Sequence, residues 1–221
     1  MFHVERSRPA GRPTDPVDDA LREGLAELAL PSQLAEPLGE LAQLVAAWAS
    51  RMNLTGHRSA SDVATHLVLD ALALAGSLPV QPRSLADLGS GAGFPGIPLA
   101  LLWPACRVTL VDARERRHHF ERAAIRALGL PNVTPLWGRA ERIDPLLHEV
   151  VVAQAMAPPA QALAWMARWA EPGGWLALPQ SGDAPPVATS PGIESAGVRT
   201  YRVPVTGVAR SVWLGRRHRG T

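Results

Sequence analysis

The sequence predicts an α/β fold, in which a mostly parallel sheet of seven strands carries helices on both faces behind a helical N-terminal section. Hydrophobic residues make up 47% of the 221 residues and charged residues 19%, as in a globular chain. From residue 84 onward, short apolar runs alternate with segments of helical period, which is typical of a parallel sheet covered by helices. Before that point only the helical period is found.

The chain divides into three parts by composition. Residues 1–16 are rich in proline and arginine, and we expect them to form a disordered N-terminal arm. Residues 17–78 repeat apolar side chains at helical spacing, which predicts a helical extension. Residues 79–221 carry the alternating pattern and are expected to form one domain. A chain of this length can bury a sizeable core.

The extension contains three predicted helices. The first starts at Asp15, where several acidic side chains suit a helix N-terminus. The second starts at Ser32 or at Pro37, because proline restricts where a helix can begin. The third opens with a capping box at Ser59 and ends near Gly76.

The alternating region contains seven predicted strands and three predicted helices. The helices are expected over residues 95–103, 113–128 and 158–170. The strands are expected over residues 84–88, 107–112, 132–137, 149–154, 175–179, 198–205 and 210–214. A loop rich in proline, serine and glycine precedes the last two strands, which predicts a hairpin at the edge of the sheet.

All 22 basic side chains are arginine, and the sequence contains no lysine. Mechanisms that need a lysine, such as a P-loop or a Schiff base, are therefore excluded. Residues 199–221 carry six arginines and no acidic residue, which suits contact with a nucleic-acid backbone. A frayed, solvated tail is the alternative. On the helix at 113–128, interleaved acidic residues favour a solvated face over an RNA-binding patch.

The location is predicted from what the sequence lacks. The single cysteine, Cys106, excludes an internal disulfide and fits a reducing compartment. The first ten residues lack a signal peptide's apolar stretch, and no apolar run is long enough to cross a bilayer. We therefore expect a cytoplasmic monomer without membrane contact. His118 and His119 are adjacent and lack further ligands at metal-binding spacing, so no metal is predicted.

A glycine-rich stretch between Leu85 and Pro98 matches two binding patterns. Gly91-Ala-Gly-Phe-Pro-Gly96 satisfies the G-x-G-x-x-G pattern of dinucleotide sites. Asp87-Leu-Gly-Ser-Gly-Ala-Gly93 instead places an acidic residue before three alternating glycines. A carboxylate opposes the pyrophosphate that a helix N-terminus attracts, whereas it suits the ammonium and sulfonium of S-adenosylmethionine. Asp87 therefore favours the methyl donor, and an NAD-dependent oxidoreductase stays as the alternative.

The next two strands add an adenosine-binding pattern. The second predicted strand ends at Asp112, where a carboxylate typically accepts both ribose hydroxyls of a bound nucleoside. This residue suits NAD equally well, and a helix-capping role is the structural alternative. The third strand leads to Gly138-Arg-Ala-Glu141, which places Ala140 and Glu141 beside an adenine, unless they simply start a helix.

Residues 20–215 resemble the bacterial small-subunit rRNA methyltransferase G family, also called glucose-inhibited division protein B, because they carry the motifs of that family in the same order. The Pro-Gly-Ile-Pro extension at 95–98 is more specific than the glycines. The matching residues are Trp48, Asn53-Leu-Thr55, His66, Asp70, Asp87-Leu-Gly-Ser-Gly-Ala-Gly-Phe-Pro-Gly-Ile-Pro98, Val111-Asp112 and Ala140-Glu141.

The resemblance implies a Rossmann-like S-adenosylmethionine-dependent methyltransferase fold. It implies methyl transfer from S-adenosylmethionine to N7 of a guanosine in 16S rRNA, with 16S rRNA or the small ribosomal subunit as partner. Guanine N7 carries no proton, so no general base is expected, and orientation can provide the catalysis. The candidates on the substrate side are Asn53, His66, Asp70, Gln154 and Arg210. The cofactor-binding candidates are Asp87, Gly89, Ser90, Gly91, Gly93, Phe94, Asp112, Ala140, Glu141 and Gln154.

Two positions depart from the family pattern. Gln154 stands where the family has an arginine after the fourth strand, and Pro179 stands where it has a lysine after the fifth. Both lost cations would lie where cofactor and RNA meet, and phosphate contacts there contribute much of the affinity for RNA. Arg210 and the arginine-rich end could compensate. A catalytically silent or retargeted RNA-binding relative is therefore the second hypothesis.

Overall fold

The computed structural model describes residues 15–154, 156–181 and 191–219, so most of the expected N-terminal arm lies outside the described residues. A 3-10 turn (Ser32–Leu34) precedes α2, and a π-helical turn (Ala64–Val68) joins α3 to α4. The helices are α1 (Pro16–Glu27), α2 (Ala35–Ala49), α3 (Ala60–Val63), α4 (Leu69–Ser77), α5 (Gly96–Leu102), α6 (Glu115–Ala127) and α7 (Pro159–Trp169). The strands are β1 (Ser84–Leu88), β2 (Arg107–Asp112), β3 (Val133–Trp137), β4 (His148–Ala153), β5 (Ala170–Ser181), β6 (Ile193–Arg202) and β7 (Ala209–Arg217).

The seven described strands form one sheet in the order β3-β2-β1-β4-β5-β7-β6. Strands β1 to β5 pair in parallel, and β7 pairs antiparallel with both β5 and β6. The predicted mostly parallel sheet of seven strands is therefore confirmed, together with the hairpin at its edge. Most of the arginine-rich end lies within β6 and β7, so its described part is not a frayed tail.

The sequence signals at the helix starts act as expected. An Asp15 carboxylate oxygen accepts a hydrogen bond from the Val17 amide at 3.0 Å, and the Ser59 hydroxyl accepts one from the Asp62 amide at 3.0 Å. Pro37 lies in the first turn of α2, where a backbone N–H has no partner within the helix. Capping by side chains thus begins α1 and α3.

The sheet separates two hydrophobic clusters. Alternate strand residues point to opposite faces, so Leu85 and Val150 join one cluster while Ala86 and Val151 join the other. The first cluster includes the helical extension with α5 and α6, and the second includes α7. Helices therefore cover both faces, as the sequence predicts.

Two strands begin five residues earlier than expected. β5 begins at Ala170 rather than 175, because the chain leaves α7 directly into the sheet through a glycine-rich stretch with irregular register. β6 begins at Ile193 rather than 198, and its residues are mostly exposed, so it lacks the apolar alternation on which the prediction relied. The region from 182 to 190, within the predicted loop, lies outside the described residues.

Several contacts hold the helical extension against the sheet domain. The Trp48 ring meets the Phe120 ring edge-on, with centroids 5.6 Å apart. The Arg199 guanidinium on β6 donates a hydrogen bond to the Ser77 carbonyl at the end of α4, at 3.0 Å. The extension thus brings its own residues to the carboxyl end of the sheet. No described helix combines the length and apolar character of a transmembrane span.

Candidate functional site

The loop between β1 and α5, residues 89–95, is called the glycine loop below. Gly89, Gly91 and Gly93 all have positive φ angles, of 74°, 61° and 78°. A Cβ atom at residue 93 would lie 2.3 Å from Ile97 Cδ1, so only glycine fits there. Each glycine of the alternating pattern thus occupies a backbone conformation that suits it.

Backbone hydrogen bonds hold the glycine loop against β2. The Gly89 and Ser90 amides both donate to the Val111 carbonyl, at 2.7 and 3.2 Å. The Ser90 carbonyl accepts from the amides of Gly93 and Phe94, at 2.8 and 3.0 Å. The loop is therefore a folded turn at the carboxyl edge of the sheet, where ligands of open α/β sheets bind.

A cleft of about 730 Å³ opens above this edge. Its volume lies within the range of about 300–1,000 Å³ that is usual for small-molecule sites. Residues of the extension, the glycine loop and the strand ends contribute to its wall, which consists of Leu54, Thr55, Leu67, Gly89, Ser90, Ala92, Phe94, Val111, Asp112, Ala113, Arg114, Arg117, Gly138, Arg139, Ala140, Glu141, Gln154, Met156 and Trp165.

Asp112 is buried at the end of β2, and its carboxylate already accepts three hydrogen bonds. One oxygen accepts from the Arg114 amide at 2.8 Å, and the other accepts from the Gly91 amide at 3.0 Å and from Arg117 Nη1 at 3.2 Å. A carboxylate has about four acceptor positions, so one remains. Asp112 therefore fixes the glycine loop as well as facing the cleft.

Asp87 lies beneath the glycine loop and is only 1% exposed. Its Oδ2 accepts from the Gly96 amide at 2.8 Å, while Oδ1 is buried without a hydrogen-bond partner. The pKa of Asp87 is raised to about 7, chiefly by burial; the Gly96 hydrogen bond opposes the rise and the nearby Asp112 charge adds to it. The side chain supports the loop from below and does not line the cleft.

Glu121 on α6 is fully buried in the same region, so it does not belong to the predicted solvated face of this helix, where Arg116, Arg122 and Arg126 are exposed. Its Oε1 accepts a hydrogen bond from the Ser90 hydroxyl at 2.5 Å, and its Oε2 has no partner. Burial raises the pKa of Glu121 to about 8. Its position beside Phe120, and three residues before Ala124, places it on the buried side of the helix.

The second group of predicted residues lies beside the cleft around a small cavity of about 20 Å³. Gln154, Leu67 and Phe94 line both spaces, so the two are neighbours. The other residues around the small cavity are Asp70, Ala71, Leu74, Pro95, Pro179 and Tyr201. Gln154 and Pro179, the two departures from the family pattern, thus meet at one boundary.

Asp70 is buried at this boundary and joins the extension to the last strands. One carboxylate oxygen accepts from the Tyr201 hydroxyl at 2.9 Å, and the other lies 3.5 Å from Arg210 Nε. Burial raises the pKa of Asp70, and both partners oppose the rise. Arg210 therefore pairs with Asp70, and it lines neither space.

His66, four residues before Asp70, lies close enough to lower the pKa of that carboxyl group. Its ring stacks on the ring of His57, with centroids 5.0 Å apart. The π-helical turn at Ala64–Val68 changes the helical period between the two positions. Burial lowers the pKa of His57, and the neighbouring His66 lowers it further. Asn53 is exposed and adjoins Leu54 at the cleft wall.

The structure brings together most of the predicted cofactor residues and adds others. Seven of those candidates line the cleft, namely Gly89, Ser90, Phe94, Asp112, Ala140, Glu141 and Gln154. Asp87, Gly91 and Gly93 support the glycine loop but do not line the cleft. Arg117 and Glu121 were missed as site residues, although their spacing of four on one helix was a signal. In the described part of the chain, no cluster of three or more potential metal ligands is found.

Comparison with known proteins identifies relatives and structural neighbours. Residues 34–184 match the family model of rRNA small subunit methyltransferase G. The chain is 41% identical over 137 residues to a ribosomal RNA small subunit methyltransferase G of Stenotrophomonas maltophilia, which covers 62% of the chain and 64% of that relative. A relative of the same name from Xanthomonas campestris pv. campestris is 36% identical over 168 residues, 76% of the chain and 78% of the relative.

Solved structures share the fold. A SAM-dependent methyltransferase from Aquifex aeolicus superimposes with a TM-score of 0.52 at 18% identity, covering 70% of this chain and 92% of that one. MtNAS in complex with MTA and tNA superimposes with a TM-score of 0.54 at 18% identity, covering 91% of this chain and 85% of that one. These likenesses support the Rossmann-like architecture alone. From the family model and the sequence relatives, the chain belongs to the rRNA small subunit methyltransferase G family.

Proposed function

We propose that this protein transfers a methyl group from S-adenosylmethionine to N7 of a guanosine in 16S rRNA. The observation that carries the proposal is the cleft at the carboxyl edge of the sheet, bounded by the glycine loop and Asp112, in a member of this family. Family membership favours this cofactor over a dinucleotide. The substrate is 16S rRNA, alone or in the small ribosomal subunit, and the reaction takes place in the cytoplasm.

The residues of the cleft fit the chemistry of this cofactor. Asp87 lies beneath the floor of the cleft with Oδ1 unpartnered, and its ionised form suits a ligand with two cationic centres and opposes a pyrophosphate. Asp112 offers its remaining acceptor position to a ribose hydroxyl, and Ala140 and Glu141 form the adenine side. The proposed binding residues are therefore Asp87, Gly89, Ser90, Gly91, Gly93, Phe94, Asp112, Ala140, Glu141 and Gln154.

The bound cofactor supplies an electrophilic methyl group. The protein's own part is to hold the guanine in line with that group, which can by itself accelerate the reaction greatly. Both carboxylates in the cleft wall have partners in the protein, since Asp112 accepts three hydrogen bonds and Glu141 lies 3.8 Å from Arg139. An unprotonated N7 requires no base, so this arrangement supports the proposed reaction.

The substrate side is the small cavity and its surroundings. Asn53, His66, Asp70, Gln154 and Arg210 are the proposed contacts, and only Gln154 lines the cleft itself. Gln154 and Pro179 leave this boundary without the two cations of the family pattern. This observation favours a second candidate, a relative that binds RNA without methylating it.

The decisive experiment measures methyl transfer from labelled S-adenosylmethionine to small ribosomal subunits and to stripped 16S rRNA. We expect label at one guanosine, mapped by chemical cleavage at N7-methylguanosine. Cofactor binding without label on either substrate would favour the silent relative. Absence of cofactor binding would refute the proposal.

A variant at Asp112 tests the assignment of the cleft. Asp112→Ala removes the acceptor for Gly91, Arg114 and Arg117, and we expect cofactor affinity to fall at least tenfold. Asp144→Ala, at an exposed position outside the cleft wall, is the matched control. An unchanged affinity of the Asp112 variant would show that the cofactor binds elsewhere.

A further inference from the structure

Ser90 connects the cleft to a buried carboxyl group behind it. Ser90 lines the cleft although it is only 2% exposed, and its hydroxyl lies 2.5 Å from Glu121 Oε1. Glu121 itself is 0% exposed and does not line the cleft. A ligand in the cleft can therefore reach Ser90 directly but can reach Glu121 only through Ser90.

Charges converge on Glu121 from three elements. Asp87 on β1 and Asp112 on β2 are both acidic, and the Arg117 guanidinium on α6 provides the positive charge. Arg117 is already engaged with Asp112 at 3.2 Å. Glu121 Oε2 and Asp87 Oδ1 both lack hydrogen-bond partners. Arg117 Nε is likewise buried without a hydrogen-bond partner. Burial is the largest effect on Glu121, favours its protonated form and raises its pKa to about 8.

The backbone of Ser90 has no freedom to compensate, because its amide and its carbonyl are both bonded within the loop and to β2. The hydroxyl proton is therefore the variable part. When Glu121 is ionised, the Ser90 proton points to Oε1, and the serine oxygen presents only lone pairs to the cleft. When Glu121 is protonated, it can donate to Ser90, and the serine proton is free to point into the cleft.

We propose that Glu121 is a positioning residue that decides whether the Ser90 hydroxyl presents its lone pairs or its proton to the cleft. Binding of a cationic ligand in the cleft then releases the proton of Glu121. This inference rests on the proposed function, since S-adenosylmethionine carries an ammonium and a sulfonium. A ligand donor facing Ser90 needs the lone pairs, and a positive charge in the cleft favours ionised Glu121. Cofactor binding is thereby linked to the loss of a proton.

The test is isothermal titration of the full-length protein with S-adenosylmethionine at pH 7.5, in buffers of different ionisation enthalpy. The slope of the heat against buffer enthalpy counts protons released. For a group with pKa of about 8, we expect up to about 0.8 proton per cofactor bound. Affinity should also fall by up to about tenfold per pH unit below that value.

Two variants separate the linkage from a merely structural role. Glu121→Gln keeps an acceptor for the Ser90 hydroxyl but has no proton to release, so release should fall to the part contributed by other groups. The cofactor affinity of this variant should lose the corresponding pH dependence. Ser90→Ala breaks the connection, and its proton release should also fall. Thermal unfolding of each variant confirms that it is folded.

Asp87→Asn is the control, because Asp87 is the other buried carboxyl group beneath the glycine loop whose pKa is raised. Release that persists in Glu121→Gln but disappears in Asp87→Asn would overturn the inference and assign the proton to Asp87. Cofactor binding without proton release in the unaltered protein would also overturn it, while leaving the proposed function intact. No cofactor binding at all would refute both.

Discussion

The floor of the cleft, meaning the glycine loop with Asp87 and Glu121 beneath it, and the boundary between the cleft and the small cavity both bury carboxyl groups. The two regions differ in the hydrogen-bond partners that they offer these groups. On the floor, Asp87 Oδ2 accepts from the Gly96 amide, nine residues away, and its other oxygen has no partner. At the boundary, Asp70 accepts from the Tyr201 hydroxyl, 131 residues away, and faces Arg210 on its other side. The floor is built locally with unsatisfied charge, whereas the boundary is built from distant segments with its charge paired.

This difference separates two kinds of residue. Unsatisfied buried groups cost stability, and they persist where a ligand or a proton can satisfy them. Paired buried groups instead hold elements together, as Asp70 holds α4 to β6 and β7. We therefore expect changes on the floor to alter ligand binding and pH dependence, and changes at the boundary to alter stability first.

The largest expected effect is on the floor, at Gly93. Gly93→Ala adds a Cβ that would lie 2.3 Å from Ile97 Cδ1 and also places alanine at a φ of 78°. Left-handed backbone costs about 1–2 kcal/mol and overpacking about 1–3 kcal/mol. Gly91→Ala is the matched control, because its φ is also positive but its nearest atom would lie at 3.5 Å. Urea unfolding should rank Gly93→Ala as the less stable variant, and equal free energies of unfolding would contradict the packing argument.

Two groups on the floor should contribute to the pH dependence of stability, in addition to Asp70 at the boundary, whose pKa is also raised by burial. Glu121 and Asp87 have raised pKa values in the folded state, about 8 and about 7, so the unfolded chain holds fewer protons between pH 5 and 7. Stability should therefore fall as pH rises through this range, by about 1.4 kcal/mol per pH unit for each such group.

Glu121→Gln removes one of these two contributions, so its melting temperature without cofactor should vary less with pH than that of the unaltered protein. Differential scanning calorimetry at pH 5, 6, 7 and 8 measures this. Parallel curves for the two proteins would mean that Glu121 does not titrate in this range.

A change at the boundary should lower the free energy of unfolding and leave the cofactor affinity almost unchanged. Tyr201→Phe deletes the hydroxyl that bonds Asp70, which leaves a buried acceptor without that donor and costs about 1–3 kcal/mol. Cofactor affinity should stay within twofold, because Tyr201 does not line the cleft. Thr206→Val, at a loop hydroxyl outside both spaces, controls for removal of a hydroxyl group. A large loss of cofactor affinity would show that boundary and floor are coupled.

The smallest expected effect is a gain in RNA binding when Gln154 is replaced by arginine. Gln154→Arg restores a cation where the family has one, and one added phosphate contact steepens the logarithmic salt dependence of RNA binding by about 0.7–0.9. Gln43→Arg adds the same charge on the exposed side of α2, away from both spaces. Equal salt slopes for the two variants would mean that RNA does not contact the boundary.

The sequence predicted the floor better than the boundary, for a physical reason. β1 and β2 have the expected bounds, and the glycines occupy the expected turn, because a strand followed by alternating glycines is a local pattern. The boundary depends on which distant strand reaches Asp70, which no local pattern specifies. Glu121 was missed because an acidic residue among arginines resembles a solvated face, and only its position beside Phe120 indicates burial.

The strand order also has a consequence for biosynthesis. β7, the last described strand, lies between β5 and β6, and β6 pairs with β7 alone among the described strands. While the chain is being translated, β6 emerges with no sheet partner, and the outer edge of β5 stays open until residues 209–217 leave the exit tunnel. The partners of Asp70, Tyr201 and Arg210, are likewise translated only after residue 200. The sheet can therefore close only after β7 has left the exit tunnel, and a nascent chain arrested before β7 should remain protease-sensitive at its boundary.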